Sequence, residues 1–197
     1  MPDGLSSYLR QAVDLLQKTL AGGLDRPVEQ AITLIVEALA ARRPVLVCGN
    51  GGSAADSLHI AGELVGRYLK NRPAYKVLSL AADAAVLTAW SNDFGYDSLF
   101  ARQVEAHGEP GGVLLGLSTS GNSANVVQAF EAARRLGMQS IALTGEGGGR
   151  LAGLADLLLA VPSRQTPRIQ EVHVCLYHFI CQEVEERLAA MAPAAKS

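Results

Sequence analysis

Pro44-Val45-Leu46-Val47-Cys48-Gly49-Asn50-Gly51-Gly52-Ser53-Ala54-Ala55-Asp56 passes from an uninterrupted apolar run to a glycine cluster and then to a helical pattern. An apolar run with no polar alternation suits a strand covered on both faces, the habit of parallel sheets. Glycines then turn the chain, and residues 53 to about 70 read as helix. The same rhythm repeats downstream. A strand is expected near 76–80, a helix near 83–91, a strand at 113–118, a helix at 123–136 and a strand at 139–144. The loop Gly145–Gly149, a short strand Asp156–Val161 and a long helix from about Pro167 to Met191 follow. Strands alternating with helices specify an α/β fold, a parallel sheet with helices on both faces.

Upstream of the first strand, residues 1–41 read as two amphipathic helices. Leu5, Leu9, Ala12, Val13, Leu16 and Leu20 recur at three- and four-residue steps, and Ile32, Ile35, Val36 and Leu39 form a second stripe. Gly22 and Gly23 close the first, and Pro27 suits the first turn of the next. No linker or repeat divides the chain, so 1–197 reads as one domain, with sheet and flanking helices over 44–191 and a loose tail at 192–197. Ile169, Val172, Val174, Cys175, Leu176, Tyr177, Phe179, Ile180, Cys181 and Val184 surround nearly the whole last helix. A helix apolar all round is buried, and a partner subunit is the expected cover.

A net charge of −2 removes any general electrostatic case for nucleic acid or an anionic membrane. No apolar run is long enough for a spanning helix, and the first residues carry no secretory pattern. Cys48, Cys175 and Cys181 lie in apolar stretches without CxxC spacing, and read as reduced core residues of a cytoplasmic protein.

Ligands of open α/β sheets sit beyond the carboxyl ends of the strands. Two such ends stand out. In Gly49–Asp56, Ser53 is placed to cap the following helix with Asp56 in the capping-box position, leaving helix-start amides for an anion. A plain tight turn is the other reading. Leu117-Ser118-Thr119-Ser120-Gly121-Asn122-Ser123 places hydroxyls at another helix start, without Lys or Arg, and suits a phosphate dianion. Asn92 and Asp93, in a loop after the helix near 83–91, are turn formers or polyol contacts.

His59 and Glu63 share a helix face at four-residue spacing, and Gln170 and His178 lie two turns apart on the last helix. These four could hold a metal, or Glu63 and His178 could work as an acid–base pair. A surface hydrogen bond and a satisfied core histidine are the bland alternatives.

Four segments taken together resemble the phosphoheptose isomerases of the sugar-isomerase (SIS) fold. They are Gly49–Asp56, His59-Ile60-Ala61-Gly62-Glu63-Leu64, Ser118–Val126 and Arg168-Ile169-Gln170-Glu171-Val172-His173. The resemblance implies a three-layer α/β/α sandwich with a five-stranded parallel sheet, a homotetramer and an active site at a subunit interface. It implies isomerisation of sedoheptulose 7-phosphate to D-glycero-D-manno-heptose 7-phosphate, the first step of nucleotide-activated heptose synthesis. It assigns Ser118, Thr119, Ser120 and Ser123 to the phosphate, and Asn50, Gly51, Gly52, Asn92, Asp93 and Gln170 to the substrate. Glu63 becomes the base and His178 its catalytic partner. One Zn2+ per subunit is implied on His59, Glu63, Gln170 and His178. A non-catalytic SIS protein, such as a sugar-phosphate sensor or replication-initiation assembly factor, is the alternative; an intact Glu63 and His178 argue against it. Trp90 either narrows the sugar pocket or packs in the core.

Overall fold

The computed structural model describes residues 4–191. The expected tail at 192–197 lies outside them. Two helices, α1 (Leu5–Ala21) and α2 (Asp25–Ala40), precede β1 (Val45–Gly49). Then come α3 (Gly52–Val65), β2 (Val77–Ser79), α4 (Ala84–Phe94), α5 (Leu99–His107), β3 (Val113–Ser118) and α6 (Ala124–Arg135). β4 (Gln139–Thr144), β5 (Leu157–Ala160) and α7 (Thr166–Met191) complete the described chain. The five strands form one parallel sheet in the order β2-β1-β3-β4-β5.

The strands are apolar throughout because both faces are covered. Val45 and Val47 of β1, with Leu115 and Leu117 of β3, face α2, α3 and α7, where Ile32, Ile60 and Ile180 are buried. Leu46, Cys48 and Leu114 point the other way, to Phe100 of α5 and Phe130 of α6. Alternate residues of each strand therefore feed two separate cores, which makes the α/β/α sandwich.

Several expectations change. The helix foreseen to about 70 stops at Val65, because the following segment is drawn onto α7: Glu185 accepts the amides of Tyr68, Leu69 and Lys70. Ser91–Phe94 is not a loop but the end of α4, which Gly95 terminates with a φ of 86°. Helix α5 went unread; its Leu99, Phe100, Gln103 and Val104 carry a buried helical stripe, and His107 ends it. Cys175 is exposed, unlike Cys48 and Cys181, whose thiols burial pushes up to about 12. Most of the circumference of α7 is covered within the subunit, so a partner is not needed for that burial. An uncovered strip remains at Cys175 and Phe179, facing an open groove of about 470 Å³ against Leu16 and Leu20 of α1.

Candidate active site

All five strands point their carboxyl ends to one edge, so the loops after β1 and β3 gather there. A clasp of two amides joins them. Asn50 Nδ2 donates to Asn125 Oδ1 at 2.8 Å, and Asn125 Nδ2 donates back to Asn50 Oδ1 at 2.9 Å. The Tyr96 hydroxyl donates to the same Asn50 oxygen at 2.8 Å. The Asn50 side chain is thus largely engaged in holding loops together.

The first loop turns differently from the expected capping box. Gly51, with a φ of 56°, is the N-cap residue of α3, and no side chain caps the helix. Ser53 is buried in the first turn, and its amide bonds to the Asn50 carbonyl at 3.0 Å. The amides of Ala54 and Ala55 bond to the Gly51 carbonyl. The helix start therefore satisfies much of its own donor capacity. Gly52 has a separate steric role: a Cβ there would come within 2.5 Å of Gln170 Nε2.

In the second loop the hydroxyls pair with one another. Ser118 Oγ lies 2.9 Å from Ser123 Oγ, and Thr119 Oγ1 lies 3.4 Å from Thr166 Oγ1 on α7. Ser120 Oγ accepts the Asn122 amide at 3.1 Å. The loop is closed from behind: the Asn122 carboxamide oxygen accepts the Arg150 amide at 3.0 Å. A Cβ on Gly121 would meet the Gly148 carbonyl at 2.0 Å, and a φ of 66° also restricts that position to glycine. At the start of α6, the amides of Ala124 and Asn125 have no acceptor among the described residues. Hydroxyls and open helix-start amides together make an anion cradle.

Helices α3 and α7 run side by side in the same direction, with contacts at two levels and a third to the segment just after α3. Gln170 meets Gly52, Tyr177 and His178 meet His59, and Glu185 meets Arg72. At the middle level three donors converge. His59 Nε2 is 3.1 Å from Glu63 Oε1 and 3.4 Å from His178 Nε2. One ligand atom from each of the three lies within 4.8 Å of the others, the one such cluster among the described residues. His59 Nδ1 points inward to the Tyr177 hydroxyl at 2.9 Å, and that hydroxyl lies 3.3 Å from Asp56 Oδ1. Burial raises the Asp56 carboxyl, against the hydrogen bond from Tyr177 and the charge of His59; burial, then the Asp56 charge, raises the Tyr177 phenol.

Two imidazoles and a carboxylate are the donor set of a catalytic zinc site, with a fourth position open. The residues fit a borderline-soft divalent cation, since two ring nitrogens and a carboxylate oxygen converge on one point. Gln170 approaches from the N-terminal end of α7, with its side-chain amide against Gly52. Eight residues of α7, about 12 Å of helix rise, separate it from His178.

Asn92 and Asp93 are exposed at the end of α4 and bond to each other, Asn92 Nδ2 donating to Asp93 Oδ1 at 2.9 Å. Trp90 packs: it stacks on Phe94 at 4.3 Å and donates from Nε1 to Ser98 Oγ at 2.8 Å. Tyr96, Asn125, Thr166, Asp56 and Tyr177 touch the site and were not read from sequence as part of it. For Asp56 and Tyr177 a signal existed: each sits within one turn of a candidate donor on its own helix.

A profile of the SIS domain matches residues 7–145. The phosphoheptose isomerase of Akkermansia muciniphila is 50% identical over 161 residues, 82% of this chain and 85% of the relative. That of Rhodospirillum rubrum is 46% identical over 96% of this chain and the whole of the relative. The solved structure of the phosphoheptose isomerase from Neisseria gonorrhoeae superposes with a TM-score of 0.86 at 40% identity, covering 92% of this chain and 96% of that one. Likeness of this extent along one continuous architecture is that of a family member, and the chain belongs to the SIS-domain family, among its phosphoheptose isomerases.

Proposed function

We propose that this protein isomerises sedoheptulose 7-phosphate to D-glycero-D-manno-heptose 7-phosphate through a cis-enediol, working as one SIS unit over 1–197. The observation that carries it is the meeting of Glu63, from α3, with His178, from α7, around His59 at the sheet edge that also holds the hydroxyl loop. Aldose–ketose exchange needs a base at the carbons and an acid at the oxygens, within reach of a held phosphate.

Ser118, Thr119, Ser120 and Ser123, with the free amides of α6, hold the phosphate and so fix the far end of the open sugar. Gly51, Gly52 and Gln170 line its path, with Asn50 tying the first loop in place. The exposed Asn92 and Asp93 are left to meet the polyol from α4. Glu63 takes the C1 proton while His178 delivers a proton to the C2 oxygen, which gives the enediol. His178 then accepts the proton of the C1 oxygen as Glu63 returns its proton to C2, leaving the aldehyde at C1. His59, Glu63 and His178 would hold one Zn2+ per subunit, with Gln170 the fourth ligand that the resemblance implies. When bound, the ion supplies polarisation of the carbonyl and charge stabilisation of the enediolate.

The apolar outer face of α1 supports a homotetramer. Leu5, Leu9, Val13 and Leu20 are all more than half exposed in the subunit. No helix among the described residues is long and apolar enough to cross a membrane. A cytoplasmic protein whose partners are a sugar phosphate and its own copies, without nucleic acid or membrane, is the reading this supports.

The test is to incubate purified protein with sedoheptulose 7-phosphate and follow the aldose by NMR, with and without a chelator. Turnover lost on chelation and restored by zinc supports isomerase and metal together. Turnover indifferent to chelation keeps Glu63 and His178 and removes an essential metal. A folded tetramer without turnover moves the protein to another sugar phosphate or to a non-catalytic role.

A further inference from the structure

Behind the three converging donors lies a short polar chain that neither the acid–base chemistry nor the phosphate site uses. His59 Nδ1 is 2.9 Å from the Tyr177 hydroxyl. The same hydroxyl is 3.3 Å from Asp56 Oδ1. Tyr177 is only 2% exposed. The other Asp56 oxygen, Oδ2, is buried and has no hydrogen-bond partner among the described residues. A buried carboxylate oxygen left without a donor is costly, and its retention calls for a reason.

Two proton arrangements fit these distances. In the first, His59 carries its proton on Nε2 and donates to Glu63 Oε1, while the Tyr177 hydroxyl donates to Nδ1. In the second, the proton sits on Nδ1 and is donated to the Tyr177 oxygen, whose own proton turns to Asp56. Only the second leaves an Nε2 lone pair facing Glu63 and His178, where a cation would bind. The second needs an acceptor for the displaced hydroxyl proton, and among the described groups bonded to that hydroxyl only Asp56 can serve.

We infer that Asp56 and Tyr177 are positioning residues that select the metal-ligating tautomer of His59, through a relay from imidazole to phenol to buried carboxylate. The inference rests on the proposed divalent-metal site and deepens it. Neither residue meets the sugar. Both act through His59, Tyr177 by accepting the hydrogen bond from Nδ1 and Asp56 by accepting the hydrogen bond of the turned hydroxyl. The sequence spacing agrees: Asp56 is one turn before His59 on α3, and Tyr177 is next to His178 on α7, so the relay bridges the same two helices as the donors.

The experiment is Zn2+ affinity measured by competition with a chromophoric chelator, on wild type, Tyr177→Phe, Asp56→Asn and the double variant. Thermal unfolding of the metal-free proteins accompanies it. Tyr177→Phe removes one oxygen and keeps the ring, so its metal-free fold should survive; Asp56→Asn offers a second route if it does not. Each single variant is expected to lose about 10- to 100-fold in zinc affinity. The double variant should lose little more than the weaker-binding single, because both break one chain. Unchanged affinity in both single variants overturns the relay. So does a double loss equal to the product of the single ones, since that is how two independent packing defects behave. Wild type that takes up no zinc overturns the metal reading and the relay together. Wild-type uptake with unaffected variants overturns the relay alone.

Discussion

Glu63 carries the heaviest chemical assignment and is also the easiest to test. Its side chain is largely shielded while its neighbour His59 is nearly half exposed, so the carboxylate faces the site rather than bulk water. Glu63→Gln keeps the shape and removes the base. Turnover should fall at least about 100-fold with unchanged circular dichroism; near-normal turnover would remove the assignment. His173 is the contrasting histidine. It is wholly buried, its Nε2 lies 3.1 Å from the Thr144 carbonyl, and Nδ1 has no partner among the described residues. Burial lowers it to about 4, from an ordinary value near 6.5. The fold thus prefers the neutral ring, while the unfolded chain takes up a proton between those values. This contribution is complete above about pH 6.5 and is lost as pH falls towards 4, on the order of 3 kcal/mol in all. Urea unfolding at pH 7.5 and pH 5 should show the loss, and His173→Gln should flatten it. From sequence, His59, His173 and His178 look alike; only burial and partners separate a core histidine from two that face the site.

Helices α3 and α7 are held in register by an ion pair that chemistry alone would not have suggested. Arg72 and Glu185 are almost fully buried, at 3.1 Å. Glu185 accepts three successive amides, of Tyr68, Leu69 and Lys70. Burial pushes its carboxyl up, but those amides and Arg72 outweigh it and hold it below the ordinary range. Arg72 in turn donates to the backbone carbonyls of Glu63, Leu64 and Gly66, closing the end of α3. Because Glu185 lies two turns beyond His178 on the same face, this clamp also sets the distance between Glu63 and His178. Glu185→Ala would strand a buried guanidinium and three amides. We expect a loss on the order of 3–5 kcal/mol in chemical denaturation, with turnover reduced even where the protein stays folded. Unchanged stability would mean that α3 is held by its apolar contacts alone. The helix boundary at Val65 belongs to this level too: local pattern ran on to residue 70, and a long-range carboxylate ended it.

The subunit as a whole leaves an apolar surface uncovered. α1 buries only Leu15 and Thr19, while Leu20 is 82% exposed and Leu5 71%. Together with Phe179 this strip is too continuous for scattered surface residues. Leu9→Glu with Leu20→Glu should leave the subunit folded, since neither side chain is in its core, and should lower the mass read by light scattering. If the site is completed between subunits, turnover falls with the mass. An unchanged mass would place the contact between copies elsewhere. In the proposed assembly, the exposed Asn92 and Asp93 would meet a sugar whose remaining wall comes from another copy.

Local pattern was enough for the alternation of strands and helices, the parallel sheet, the two glycine- and hydroxyl-bearing turns, and the pairing of His59 with Glu63. Each depends on neighbours in the chain: doubly buried strands are apolar throughout, and residues four apart share a helix face. Two-turn spacing on the last helix likewise paired Gln170 with His178, and the resemblance assigned the four their roles. Tertiary structure decided the rest. It set the Gln170 side chain against Gly52 at the start of α3. It bound Asn50 to Asn125, it turned Asn92 and Asp93 into a helix end, and it replaced a Ser53 cap with a glycine. It also brought Asp56, Tyr177, Arg72 and Glu185 together from segments more than a hundred residues apart. Such contacts arise when two helices settle side by side on a sheet, and their partners are set by packing distance in space, which spacing along the chain does not encode.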